Sequence, residues 1–174
     1  GRTKQIIEDL LVDLTSSDPE WSVISLRYFN PVGAHSSGSL GEKPLGKASN
    51  LMPIICEVAS EERDSMEIFG NDYETSDGTG SRDYIHVVDL ARGHIKAMSK
   101  IFSSAGYYAV NLGTGNGYTV LDIIKTFERV NNITIPYKIA DRRPGDVPEC
   151  YADVALAEKL LNWKAEKNLE EMCK

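Results

Sequence analysis

The chain has 174 residues, 41% of them hydrophobic and 26% charged, which is typical of a soluble globular domain with its own core. Its net charge of −7 disfavours nucleic acid and anionic membranes as partners, and no stretch of the sequence has the length of a membrane span. The three cysteines (Cys56, Cys150 and Cys173) are too scattered for a disulfide framework or a zinc site, which indicates a reducing, cytoplasmic setting.

The first element in chain order is an amphipathic helix, predicted from about Thr3 to Ser16. Its broad apolar face carries Ile6, Ile7, Leu10, Leu11 and Leu14. The elements predicted after it are a strand at 23–29, a glycine-rich loop at 33–46, a helix at 51–62, a strand at 66–69, a polar loop at 71–82, a strand at 84–87, a helix opened by Asp89 and ending at Ile101, a strand at 107–112, a glycine turn at 113–117, a helix at 120–130, a strand at 135–140, a loop at 141–149 and a helix from Asp153 to Leu161. This alternation of strands and helices predicts the α/β class.

The glycine turn at 113–117 stands between a predicted strand and a predicted helix, as a dinucleotide-binding turn does. The dinucleotide pattern needs its third glycine at position 118, where this chain has Tyr118. We therefore interpret the segment as a tight strand-to-helix turn rather than a cofactor loop.

The histidines and the first cysteine offer little chemistry of their own. The three histidines lack the close spacing of metal ligands, so no metal site is predicted. His86, with Asp83 and Asp89, is explained better as part of a strand-to-helix junction. Cys56 stands among apolar residues of a predicted helix, and we predict that it belongs to the core rather than acting as a nucleophile.

The most suggestive polar segment is 142–146, with the sequence RRPGD. Two adjacent guanidinium groups before a Pro-Gly turn can bind phosphate oxygens, and the Asp146 carboxylate can accept hydrogen bonds from ribose hydroxyls. The alternative is a solvated turn, which composition alone favours. The segment 82–84 and the glycine-rich loop before Asn50 carry the same ambiguity.

Taken together, six segments resemble the UDP-glucose 4-epimerase family of the extended short-chain dehydrogenase/reductase superfamily. They are, in order, LRYFNPVGAH at 26–35, NLMP at 50–53, IFGNDY at 68–73, DGTGSRDYIHV at 77–87, NLGTG at 111–115 and RRPGD at 142–146. The resemblance implies that the chain is the carboxyl-terminal half of such an enzyme. Residues 1–30 would be the remnant of an NAD-binding Rossmann domain, and residues 31–174 the smaller mixed α/β UDP-sugar-binding domain, truncated at its carboxyl terminus.

The resemblance implies an isomerase of galactose metabolism that interconverts UDP-galactose and UDP-glucose through a 4-keto intermediate, with NAD as cofactor. It implies the same reaction for UDP-GalNAc and UDP-GlcNAc. Lys4 falls on the family's catalytic lysine, and the tyrosine partner would precede Gly1. Because that tyrosine and the NAD-binding glycine loop are missing, we expect the chain alone to be inactive and free of NAD. The parent enzyme is expected to be a cytoplasmic homodimer.

The resemblance also assigns the binding residues. Lys4, Tyr28 and Pro31 would contact the nicotinamide part of NAD. The UDP-sugar would be bound by Asn30 at the diphosphate, Asn50 and Leu51 near it, Phe69 at the uracil, Arg82 and Arg143 at the phosphates, Asp146 at the uridine ribose and Cys150 at the hexose near C2. A small, buried cysteine at position 150 would leave room for a 2-acetamido group. Glu67 departs from the family pattern, in which a small residue often stands beside the uracil.

Two other functions compete with the epimerase. A dehydratase or decarboxylase of the same superfamily is disfavoured by His35 and by the glycine segment at 78–80. A stand-alone UDP-binding or interaction module belongs to another class of protein. The sequence upstream of Gly1 would separate it from the epimerase, because only the epimerase needs a tyrosine and a glycine-rich loop there.

Overall fold

The computed structural model describes all 174 residues, and it has the predicted α/β class. Its helices are α1 (Arg2–Ser17), α2 (Leu51–Ala59), α3 (Val87–Ile101), α4 (Val120–Asn131), α5 (Ala155–Leu161) and α6 (Leu169–Met172). Its strands are β1 (Ser22–Tyr28), β2 (Asn30–Val32), β3 (Met66–Phe69), β4 (Ser81–Arg82), β5 (Tyr84–His86), β6 (Gly106–Leu112), β7 (Tyr118–Thr119), β8 (Tyr137–Ala140) and β9 (Glu149–Cys150). No helix of the chain combines the length and apolar composition needed to cross a membrane.

The longest strands, β1 and β6, pair in parallel along their whole length, from Ser22 opposite Gly106 to Tyr28 opposite Leu112. Parallel strands need a long crossover, and the chain between them includes α2 and α3. α3 and α5 pack on this pair, and α1 lies against it, joined by the ion pair between Glu8 and Arg27. The division of the chain at residue 31 stays a prediction; β6, from beyond that residue, pairs with β1, from before it.

A second core lies under α2, α4 and α6, and it includes Met66 and Ile68 of β3, which pairs in parallel with the more exposed β8. Ile55 from α2 and Ile123 from α4 are fully buried there, with Ile68 from β3 beside them. The helix α4 starts where predicted because Thr119 and Asp122 form a capping box, each side chain bonding the other's backbone N–H. This core holds α2 and β3 in the positions from which they line the cleft described below.

The start of α3 differs from the prediction, because the cap is His86 rather than Asp89. His86 Nδ1 accepts a hydrogen bond from Val88 N at 3.1 Å. Burial lowers the pKa of His86, which favours the neutral ring that can accept this bond. Asp89 is the third residue of the helix, and its buried carboxylate accepts from the N–H groups of Glu166 and Lys167 at 2.9 and 2.7 Å.

Three other predictions were wrong in detail. The loop predicted at 71–82 ends in β4, because Ser81 and Arg82 pair with β7 and β9. The last predicted helix begins at Ala155 rather than at Asp153, although Asp153 Oδ1 accepts from Ala155 N at 3.0 Å. Cys56, predicted to be core, is exposed on α2, because its neighbours in the helix form the buried face.

Candidate functional site

One cleft, with a volume of about 200 Å³, opens where β2, β3, β4 and the start of α2 meet. It is lined by Asn30, Ser49, Asn50, Leu51, Ile54, Met66, Glu67, Ile68, Phe69, Tyr73, Gly80, Arg82, Tyr84, Val120, Arg143 and Asp146. Seven of the eight residues assigned to the UDP-sugar are in this set, and Cys150 is not. The fold therefore brings together residues that the sequence spreads from position 30 to position 146.

The amino-terminal end of α2 forms one wall of the cleft through Ser49, Asn50 and Leu51. Asn50 occupies the N-cap position, but its side chain makes no capping hydrogen bond. The first N–H groups of a helix have no partner inside the helix, and they carry the positive end of its dipole. Pro53 has no N–H, so Leu51 and Met52 present the free N–H groups at this end. Such a wall suits an anion like a phosphate.

Two arginines share one carboxylate in the cleft. Arg143 Nε donates to Asp146 Oδ2 at 3.0 Å, and Arg82 Nη2 lies 3.6 Å from Asp146 Oδ1. Arg82 Nη1 also donates to the carbonyl oxygens of Ser81 and Val147, at 2.7 and 2.9 Å, which fixes the direction of its side chain. The Arg82 side chain is 22% exposed and that of Arg143 is 55% exposed. Glu67 adds a second carboxylate to the lining, so the charges of the cleft balance, and the positive charge offered to a ligand is local to the two arginines.

Aromatic rings stand beside the arginines. Arg143 Cζ lies 4.8 Å from the centre of the Phe69 ring, and Arg142 Cζ lies 4.1 Å from the centre of the Tyr73 ring. A guanidinium over an aromatic face is a favourable cation–π arrangement. Arg142 is further held by Asp72, whose Oδ1 and carbonyl oxygen accept from it at 2.7 and 2.6 Å. Arg142 therefore supports the wall, whereas Arg143 lines the cleft itself.

Two buried tyrosines also line the cleft. Tyr84 is 4% exposed, and burial raises the pKa of its hydroxyl to about 12. Tyr73 is buried as well, and its hydroxyl has no hydrogen-bond partner. Gly70 approaches the Tyr73 ring so closely that a Cβ would lie 2.7 Å from Tyr73 Cε2, and its φ of 86° favours glycine. Glu67 lines the cleft from β3 and is exposed to water.

Tyr28 and Pro31, assigned to the nicotinamide, lie beside the cleft rather than in it. Both line a neighbouring pocket of about 280 Å³ that shares Asn30 with the cleft. The Tyr28 hydroxyl lies 2.9 Å from His94 Nε2, and His94 Nδ1 lies 2.8 Å from the carbonyl oxygen of Leu90. Because a carbonyl can only accept, Nδ1 carries a proton, and in the neutral ring the Tyr28 hydroxyl donates to Nε2.

Lys4 is exposed in the first turn of α1. Glu8 follows one turn later on the same face of the helix, and it accepts from Arg27 Nε of β1 at 2.8 Å. A short connection joins the end of α1 to the start of β1, so the two elements run antiparallel. Lys4 therefore lies toward the carboxyl end of β1, where Tyr28 stands.

Cys150 is exposed on β9, so the expectation of a buried cysteine was wrong. β9 pairs in parallel with β4, which puts Cys150 opposite Arg82. The Cys150 carbonyl accepts from Asp83 N at 3.0 Å. Cys150 thus lies one strand away from an arginine of the cleft, outside the cleft itself.

The glycine turn between β6 and β7 has its central amides occupied. The Asp83 carboxylate accepts from the N–H groups of Thr114 and Gly115, both at 2.9 Å, and from Thr114 Oγ1 at 2.7 Å. In a dinucleotide-binding turn such N–H groups hold a pyrophosphate. Here the buried Asp83 carboxylate accepts from them, which agrees with the interpretation of the segment as a tight turn. The residues that the sequence assigns to NAD, namely Lys4, Tyr28 and Pro31, all belong to the nicotinamide side, and their role stays a prediction.

A family model, described as the NAD dependent epimerase/dehydratase family, matches residues 1–113 of the chain. The match covers α1 to α3, β1 to β6 and most of the cleft's lining, including Asn30 and Arg82. The chain belongs to this family. The matched segment contains most of the residues that the sequence assigns to the nicotinamide and to the phosphates. The name of the family states that its members depend on NAD.

Curated relatives narrow the comparison within the family. The UDP-glucose 4-epimerases of Bacillus subtilis, Drosophila melanogaster and Homo sapiens are 56%, 54% and 50% identical to the chain over 173, 175 and 173 residues. Each match covers 99% of this chain and 50–51% of the relative. The chain therefore spans about half the length of the curated relatives it matches, and the resemblance found in the sequence is confirmed.

Solved structures agree with the fold. The UDP-glucose 4-epimerase from Stenotrophomonas maltophila, solved with bound NAD and formylated UDP-arabinopyranose, superposes with a TM-score of 0.96 at 45% identity. The enzyme from Bifidobacterium longum, in complex with NAD⁺ and UDP, superposes with a TM-score of 0.94 at 50% identity. Both matches cover 99% of this chain and 51% of the other.

The residues assigned from the sequence omitted Tyr73, Tyr84 and Asp83. The two tyrosines stand in segments that carried the resemblance, but a buried tyrosine reads from sequence as ordinary core. Asp83 was interpreted only as part of a junction. Its signal was a carboxylate directly before the predicted strand at 84–87, since a carboxylate needs several donors once it is buried.

Proposed function

We propose that this chain is the UDP-sugar-binding half of a UDP-glucose 4-epimerase, an NAD-dependent isomerase. The observation that carries the proposal is the convergence in one cleft of Asn30, Asn50, Leu51, Phe69, Arg82, Arg143 and Asp146. Together they supply a helix start, two guanidinium groups, a carboxylate and an aromatic ring, which are the groups that a nucleoside diphosphate needs. Relatives named UDP-glucose 4-epimerase, at 50–56% identity, support the same function.

A firm hold on UDP serves the chemistry of epimerisation. The 4-keto sugar must rotate inside the site without leaving it. The contacts that retain it are therefore expected on the UDP part, which does not react. Arg82, Arg143 and the free N–H of Leu51 would bind the diphosphate. Asp146 would give up its contacts with the two arginines and accept hydrogen bonds from the ribose hydroxyls. Phe69 would line the uracil site. The arginines already point at a carboxylate, so an anionic ligand finds them oriented.

The nicotinamide side supports the redox step. NAD, when bound beside Lys4, Tyr28 and Pro31, would supply reversible hydride transfer at C4 of the hexose. Lys4 would lower the pKa of a tyrosine from outside these 174 residues, since a nearby cation favours the phenolate that removes the 4-hydroxyl proton. Tyr28 and Pro31 would border the nicotinamide, and Lys4 lies toward the same end of β1.

Cys150 supports a wider sugar specificity. The side chain is small and uncharged, and it lies opposite Arg82 at the edge of the cleft. A sugar bound through its diphosphate at Arg82 would extend past this edge, where a cysteine leaves room for a 2-acetamido group. We therefore infer that UDP-GalNAc and UDP-GlcNAc are interconverted as well. We also infer a homodimer, because Ile6 and Leu10 of α1 are 50% and 62% exposed.

Calorimetric titration of the chain with nucleotides tests the proposal. UDP and UDP-glucose should bind with similar affinity, because the diphosphate and the base carry the contacts. ADP should bind at least about tenfold more weakly, because the base contacts proposed at Phe69 are those of uracil and a purine would leave them unmade. Equal affinities for UDP and ADP, or no binding of UDP, would refute the proposed nucleotide site.

A further inference from the structure

We propose that Asp83 is a positioning residue, which holds Arg82 and Asn30 in the geometry that binds the diphosphate. The inference rests on the proposed UDP site. Asp83 does not line the cleft, and its side chain is fully buried between the cleft's arginine and the glycine turn. Its effect on a ligand would therefore pass through its neighbours.

The Asp83 carboxylate joins two distant parts of the chain. Besides its bonds to Thr114 and Gly115, Oδ2 accepts from Ala152 N at 3.1 Å. The fit is tight, because a Cβ at Gly113 would lie 2.5 Å from Asp83 Oδ2 and 2.6 Å from the Ala152 Cβ. A buried carboxylate that accepts this many N–H and O–H bonds is satisfied without any cation.

The backbone of Asp83 adds a third segment, β2, and a second bond to the segment of β9 and Ala152. Asp83 N donates to the Cys150 carbonyl at 3.0 Å, and the Asp83 carbonyl accepts from Asn30 N at 3.0 Å. One residue thus links β2, β9 and the glycine turn. β2 carries Asn30 of the cleft, and β9 carries Cys150, which lies opposite Arg82.

The geometry of the strand links the position of Asp83 to the position of Arg82 in the cleft. Side chains alternate along extended backbone, so those of Ser81 and Asp83 point one way and those of Arg82 and Tyr84 the other. Ser81 and Asp83 contact the glycine turn at Gly117 and Gly113, whereas Arg82 and Tyr84 line the cleft. Fixing Asp83 in the turn therefore fixes the direction from which Arg82 enters the cleft. The Asp83 carboxylate occupies the N–H groups of the glycine turn, and by doing so it orients Arg82 for the diphosphate of the ligand.

The test compares Asp83→Asn with Asp89→Asn. Asp89 is a matched control, because it is equally buried and accepts from two backbone N–H groups, but it lies away from the cleft. The amide of asparagine presents an NH₂ where Asp83 meets N–H donors, so the backbone that carries Arg82 and its carbonyl partners loses its anchor in the glycine turn. We expect Asp83→Asn to bind UDP at least about tenfold more weakly and to bind uridine with unchanged affinity. Asp89→Asn should bind UDP like the unaltered chain, although both variants melt earlier.

A double-mutant cycle shows whether the effect passes through Arg82. Adding Asp83→Asn to Arg82→Ala should cause less than a twofold further loss of UDP affinity, because the positioned group is already gone. Full additivity would overturn the proposal, as would equal UDP affinities for Asp83→Asn and the unaltered chain, or a uridine affinity that falls in step with that for UDP. If the unaltered chain itself binds no UDP, the proposed function fails first.

A second variant covers the case in which Asp83→Asn does not fold. Thr114→Val removes the 2.7 Å bond from Thr114 Oγ1 to Asp83 and two longer contacts of Oγ1 with Asn116, at 3.2 and 3.4 Å, and it keeps the N–H donors. Thr114→Ser keeps both and serves as its control. We expect about threefold weaker UDP binding for the valine variant and unchanged binding for the serine variant. Unchanged binding for both would overturn the proposal.

Discussion

Removing the two cleft arginines one at a time should weaken UDP binding to different extents. A charge-assisted hydrogen bond contributes about 1.5–3 kcal/mol, and exposure to water reduces this value. The Arg82 side chain is 22% exposed, so Arg82→Ala should cost about 2–3 kcal/mol, or roughly a 30- to 150-fold loss of affinity. The Arg143 side chain is 55% exposed, so Arg143→Ala should cost about 1 kcal/mol, or roughly fivefold.

The assay is calorimetric titration of UDP onto each variant, with Arg129→Ala as control. Arg129 is as exposed as Arg143, at 60%, and pairs with a carboxylate of its own, Glu170, at 2.8 Å outside the cleft. Its removal should leave UDP affinity unchanged. The reasoning is refuted if both cleft variants bind UDP as the control does, or if Arg143→Ala loses more affinity than Arg82→Ala.

Three further predictions concern sugar specificity, alkaline stability and association. In the full-length parent, Cys150→Tyr should abolish epimerisation of UDP-GalNAc and largely spare UDP-galactose, since a rigid ring would fill the space for the acetamido group; equal rates for the parent and the variant on UDP-GalNAc would contradict this. Burial raises the pKa of Tyr84 from 10 to about 12, so the buried neutral hydroxyl stabilises the fold below pH 10 and this stability is lost as pH rises through 12. Tyr84→Phe should remove that loss, which is about 2 kcal/mol between pH 9 and pH 12. If denaturant melts at these two pH values shift equally in both proteins, the prediction is refuted. Leu10→Glu should reduce self-association of the chain, because Leu10 is 62% exposed on α1, and sedimentation that shows the unaltered chain to be monomeric would oppose it.

The longer elements could be predicted because their signals are local. The helix α4 was predicted at 120–130 and ends at Asn131, and β3 lies at the predicted positions 66–69. Each follows from apolar spacing and from residues that start or stop it. The strands β4, β7 and β9 have two residues each and were not predicted. Two residues carry no periodicity, and such strands exist only because distant segments pair.

The candidate site was predictable residue by residue only through the resemblance. Composition favoured a solvated turn at 142–146, and the structure shows why spacing could not decide it. Arg143 meets Phe69 across 74 positions of the chain, and Arg82 meets Val147 across 65. Asp83 likewise binds donors 31 and 69 positions away. A single sequence indicates that a buried charge needs partners, but it does not say which ones.

The most direct test of the proposed function is turnover by a chimaera. Residues 1–174 would replace the matching half of the Bacillus subtilis relative, which is 56% identical over 173 residues. We predict that the chimaera converts UDP-galactose into UDP-glucose, and that Lys4→Ala lowers its rate at least about 100-fold while UDP still binds. A folded chimaera that binds both NAD and UDP but does not interconvert the two sugars would contradict the assignment of this chain to an epimerase.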